Sequence, residues 1–104
     1  MHVLLAGDGP AVEAVAAALA DIDCGVERGD PGAVGGADLG VVVEDVGADA
    51  FDAANDAALD AGTTWMAVEL GGVGGHALGT VDAAVSGFEP AGGCFECLAS
   101  RVAS

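Results

Sequence analysis

The chain predicts an α/β domain: a Rossmann-like parallel sheet of about four strands with flanking helices, a late strand pair and a short C-terminal helix. Three observations carry that expectation. Short apolar runs at residues 3–6, 39–43 and 63–70 have the length and the β-branched content of buried strands. Between them lie segments whose apolar residues recur at helical spacing. The first run passes through Gly7-Asp8-Gly9-Pro10 into one of these segments, the strand–turn–helix opening of a nucleotide-binding half.

Each element follows from its residues. Pro10 suits the first turn of a helix, where its missing N–H is not needed. Val12, Val15, Ala16 and Leu19 then make one apolar stripe to about Ala20. Residues 21–27 offer a weaker, outer strand, and 29–36 (GDPGAVGG) a loop or one frayed turn. Residues 39–43 are the clearest strand, ending at Glu44 and Asp45 on the carboxyl edge where ligands bind in such sheets. A helix over 48–61 puts Asp49, Asp52, Asp56 and Asp60 on a solvated face, with Phe51, Ala54, Ala58 and Leu59 toward the sheet. Gly62 closes it as a C-cap. After the strand at 63–70, Gly71-Gly72 breaks the chain. Residues 73–80 and 81–88 read as two more strands, or a strand and its return. Ala91-Gly92-Gly93 is a flexible link to a helix opened by Cys94, which stops at Ser104 without a capping glycine. Residues 1–104 are read as one domain, the N-terminal part of a longer protein.

Charge narrows the function classes. Seventeen acidic residues face Arg28 and Arg101, there is no lysine, and the net charge is −15. So small a domain repels itself unless salt shortens the screening length, to about 3 Å at 1 M. The Asp-rich, lysine-free composition points to a salt-adapted protein of haloarchaeal type; specialised binding of cations or basic partners is the other reading. Nucleic acid is disfavoured, because the phosphate contribution needs Lys and Arg. No run approaches the ~20 apolar residues of a membrane span. The start at His2-Val3-Leu4-Leu5-Ala6 is too short for a signal peptide. A cytoplasmic, reducing compartment is expected, where a close cysteine pair more often means metal or redox chemistry than a structural disulfide.

Two stretches carry candidate chemistry. Gly7 and Gly9 allow a backbone turn near a phosphate at a helix N-terminus, and Glu27 lies about 20 residues on, where a ribose-binding acid is expected. Against this, Val12 replaces the third glycine of the fingerprint, and Asp8 inside the loop would repel a pyrophosphate. Cys94 and Cys97, at a helix start, fit half of a tetrahedral zinc site or a redox pair of lowered thiol pKa. Cys24, His2 and His76 are the remaining soft ligands, so a complete zinc site needs residues beyond Ser104, a second copy in a homodimer, or a partner. His76 has no Ser or Cys neighbour to pair with, and Glu69, ending a buried strand, needs a hydrogen-bonding partner. No catalytic residue is assigned.

The tail gives a family expectation. Met66-Ala67-Val68-Glu69, Gly74-Gly75-His76, Phe88-Glu89-Pro90 and the Cys-x-x-Cys-Leu-x-x-Arg run from Cys94 through Leu98 to Arg101 resemble the rear part of the ubiquitin-activating and ThiF-like adenylating superfamily. The nearest variant is the truncated ThiF-like module of SagD-type azoline-forming cyclodehydratases, a bacteriocin-biosynthesis docking scaffold that partners or is fused to a YcaO domain. The resemblance implies a non-catalytic docking role, presenting a ribosomal precursor peptide or the adjoining YcaO domain for ATP-dependent azoline formation. It also implies the first half of a zinc site, whose second Cys-x-x-Cys is missing here. ATP binding by this chain is not expected, because the cations that steady triphosphate charge are lacking. The expected contact surface runs from Gly71 to Arg101, with Gly74, Gly75, His76, Phe88, Pro90, Leu98 and Arg101 as its residues. The alternative is a small NAD(P)- or nucleotide-binding domain of an oxidoreductase, resting on Gly7, Gly9 and Glu27. A third reading is a Cys-x-x-Cys redox protein.

Overall fold

The computed structural model of the chain describes residues 1–90, 92 and 94–103. In chain order the elements are β1 (His2–Ala6), α1 (Pro10–Ala20), β2 (Gly25–Arg28), a 3₁₀ helix (Pro31–Gly36), β3 (Leu39–Asp45), α2 (Asp49–Ala61), β4 (Thr64–Leu70), β5 (Gly72–Val73), β6 (His76–Ala77), β7 (Ala83–Phe88) and α3 (Phe95–Ala103). The main sheet runs β2-β1-β3-β4-β7. Its first four strands are parallel, and β7 returns antiparallel to β4. This is the fold class the apolar runs predict.

The two faces of the sheet bury different residues. On one, Val3, Leu5, Val41 and Val43 pack with Val12 of α1, and Val15, Ala16 and Leu19 close over them as the helical stripe requires. On the other, Leu4, Ala6, Val42, Trp65 and Ala67 pack against the 3₁₀ residue Val34 and against α2. Every aromatic residue of the chain joins this second core. Phe95 of α3 stacks on Phe51 at 5.5 Å and lies 6.0 Å from both Trp65 and Phe88. In a core otherwise made mostly of Ala and Val with Leu4, these rings are the large side chains that fix how α2, β4, β7 and α3 meet.

The structure departs from the sequence reading in three places. The outer strand begins at Gly25 rather than 21, because Asp21 and Ile22 donate back to Ala18 and Leu19 and finish α1. On α2, Asn55 takes the inward position and Leu59 is 51% exposed. The buried set Phe51, Ala54, Asn55 and Ala58 follows the 3.6-residue period, and Leu59 lies one step round the helix from it. Residues 73–80 are not one strand. Gly71, Gly74 and Gly75 take positive φ values of 87°, 60° and 81°, which turn the chain into the small β5–β6 hairpin. Ala91 and Gly93 of the expected link, and the chain end at Ser104, lie outside the described residues. Among the described residues no helix is long and apolar enough to cross a membrane.

Candidate functional site

The glycine turn sits at the carboxyl edge of the sheet, as the strand–turn–helix pattern demands. Gly7 has φ 133°, and a Cβ there would run into the Val43 carbonyl, so the β1–α1 turn passes tightly against β3. Gly9 caps α1 without any side-chain hydrogen bond. Beside the turn opens a cleft of about 420 Å³ lined by Leu5, Gly7, Asp8, Arg28, Gly29, Asp30, Pro31 and Glu44. Its charge opposes a phosphate. Asp8, Asp30 and Glu44 are carboxylates, and the cation lining it, Arg28, donates to Glu13 at 2.7 Å. That pairing holds the Glu13 carboxyl below its usual range and raises Arg28. Glu27, the expected ribose-binding acid, is not among the residues that line this cleft. Alternation along β2 turns Glu27 to the face of Leu4, where its carboxylate meets His2 Nε2 at 3.3 Å, and puts Arg28 on the α1 face instead.

At the far end of the sheet, α3 carries the cysteine pair. The Leu98 N–H donates to the Cys94 carbonyl at 3.1 Å, which makes Cys94 the N-cap of the helix. The sulfurs of Cys94 and Cys97 are 3.6 Å apart, with Cys97 exposed and Cys94 half-buried. A hydrogen bond from the Cys97 backbone N–H is the main influence holding the Cys94 thiol below its ordinary range. Burial opposes it, while the Cys97 thiol, the Glu96 N–H and the Asn55 side chain assist. Asn55 also fixes the helix itself, since its buried Oδ1 accepts the Phe95 N–H at 3.0 Å. Asn55 could not be found from sequence, where a polar residue inside an alanine-rich helix reads as solvated.

A buried clasp holds α3 against the sheet. Glu69 is fully buried, and its two carboxylate oxygens accept the N–H groups of Gly74 and Gly75 at 2.8 and 2.7 Å. The turn so held lies under α3. A Cβ on Gly74 would come within 3.0 Å of Val102 and 3.3 Å of Leu98. Next in the chain, His76 Nε2 lies 3.0 Å from the Ala99 carbonyl, so that nitrogen carries the proton and donates. Of the residues expected on a contact surface, Gly74 and Phe88 are therefore interior, and His76 and Leu98 are half-buried in the α3 contact. Gly75, Pro90 and Arg101 are at the surface.

The soft ligands do not converge. Cys24 bonds the Leu19 carbonyl at 3.6 Å, His2 faces Glu27, and His76 is engaged by α3. Among the described residues no three His, Cys, Asp or Glu side chains are placed to hold a metal. Comparison of the chain with protein-family models, curated proteins and solved structures returns no match. One further surface has a definite character. Helix α1 packs on β1, β2 and β3. On the same face β4 and β7 carry Met66, Val68 and Leu70, each half-buried, and Val85, 62% exposed. Strand β7 is the last of the sheet, so among the described residues its outer edge has no strand partner.

Proposed function

We propose that the chain is a non-catalytic docking domain, of the kind that holds a ribosomal precursor peptide or an adjoining YcaO domain during ATP-dependent azoline formation. The observation that carries this reading is the surface of β4 and β7: an open antiparallel edge beside the exposed, apolar Val85. An extended peptide added to such an edge gains backbone hydrogen bonds, and its alternate side chains meet the apolar face. The acidic cleft at the other end suits this division of labour, because a triphosphate would be repelled there. Binding of a precursor peptide and of a YcaO domain, each from a salt-adapted azoline-forming system, measured by fluorescence anisotropy in molar KCl, tests the reading. Val85→Asp should weaken binding of the true partner about tenfold with the circular dichroism unchanged. No binding of either, or binding indifferent to Val85→Asp, would reject it.

A second reading keeps some support from the glycine turn and its cleft: a nucleotide-binding domain of an oxidoreductase. Titration with NAD and NADP in the same salt decides it, and the absence of saturable binding removes it.

A further inference from the structure

We propose that Cys94 and Cys97 form a thiol–disulfide exchange site, with Cys94 attacking, Cys97 resolving, and an accessible disulfide of a small thiol or an extended peptide as substrate. The inference is independent of the docking reading. It stands first on the geometry of the pair. The two sulfurs are 3.6 Å apart on one turn of a helix, and rotation about their side chains can bring them to the covalent distance of about 2.05 Å. The segment that carries both is held in place, because Phe95, between them, is anchored through its N–H to Asn55 and through its ring to three other aromatics.

The two sulfurs differ in setting, and the difference assigns their roles. Cys94 occupies the N-cap, where the helix N–H groups face its sulfur and favour the thiolate. Cys97 lies on the outer face of the first turn. Next to the pair, a groove of about 210 Å³ lined by Gly87, Phe88, Leu98 and Arg101 can hold the atoms flanking a substrate disulfide. The third cysteine takes no part, since Cys24 packs with the α1 core on the opposite side of the sheet.

The exchange balances without a further reagent. The Cys94 thiolate attacks one sulfur of the substrate disulfide. That S–S bond breaks, a Cys94–substrate disulfide forms, and the first substrate thiolate leaves with the electron pair. Cys97, having lost its proton to solvent, then attacks Cys94 Sγ, the mixed disulfide breaks, and the second thiolate leaves. The protein dithiol is oxidised to a Cys94–Cys97 disulfide and the substrate is reduced to two thiols, which take up the two protons released.

Mass spectrometry after exposure to oxidised glutathione in molar KCl tests the proposal. The wild type should lose about 2 Da and retain no glutathione, through a transient mixed disulfide. Cys97→Ser should accumulate one glutathione on Cys94, and Cys94→Ser should react at Cys97 at least about tenfold more slowly. Cys24→Ser should behave as the wild type. A disulfide-bridged peptide reduced faster than oxidised glutathione would identify the peptide as substrate, and the reverse order the small thiol. The proposal is overturned if the wild type stops at the mixed disulfide or if the two single variants react equally fast. It is also overturned if bound zinc keeps both thiols unreactive until a chelator is added.

Discussion

Glu69 shows how much one residue decides here. A carboxylate at the end of a buried strand is expensive unless its oxygens are satisfied, and two glycine N–H groups meet that need. Glu69→Ala should lower the unfolding free energy by about 2 kcal/mol, read from denaturant titration, because it leaves the buried Gly74 N–H without its acceptor, while the N–H of the exposed Gly75 can turn to water. Glu69→Gln, which keeps one good acceptor, should lose about half as much. Cys94 gives a prediction in pH. Its thiol is held below its ordinary range, so alkylation of Cys94 in the Cys97→Ser variant should reach half its maximal rate at a lower pH than that of a free cysteine. The rate should fall as acid protonates the thiolate. A midpoint at the free-thiol value would mean that the N-cap does not act on this sulfur.

At the scale of elements, α3 is the informative one. Its nine residues form too short a helix to be stable alone. The Phe95 ring, the Asn55 cap and the Gly74–His76 turn help to fix it. Phe95→Ala should cost about 3–5 kcal/mol by opening the aromatic core. Asn55→Ala should cost less, about 1–2 kcal/mol, and should show itself locally. Amide exchange should speed up in α3 and leave β1 and β3 protected, whereas uniform loss of protection would refute a separate capping role. The apolar runs of β1, β3 and β4 and the stripe of α1 were legible because burial imposes a period on the sequence. The hairpin was not, since residues 73–80 alternate little and their path depends on the carboxylate of Glu69, which is buried only once the sheet has formed.

For the whole molecule, the net charge of −15 is the dominant feature. Raising KCl from 0.1 M to 1 M cuts the screening length from about 10 Å to about 3 Å, so the thermal midpoint should rise over that range. A midpoint indifferent to salt would contradict the reading of the acidic surface as a salt adaptation. The exposed pair Glu13–Arg28 works the other way. Its contribution is present above the ordinary Glu range, fades as acid titrates the lowered carboxyl, and is screened by salt. By itself the sequence determined the α/β class, the order of the parallel strands' runs, the tight turn at Gly7 and the helix start at Cys94. Those features depend on local period and backbone chemistry, which neighbouring residues encode. Only the tertiary structure decided that Glu27 turns away from the cleft, that Gly74 and Phe88 are interior, and that Asn55 serves Cys94 from another helix. Such facts follow from groups meeting across 40 residues of chain, as the Asn55 side chain and the Phe95 N–H do, and no local pattern records them.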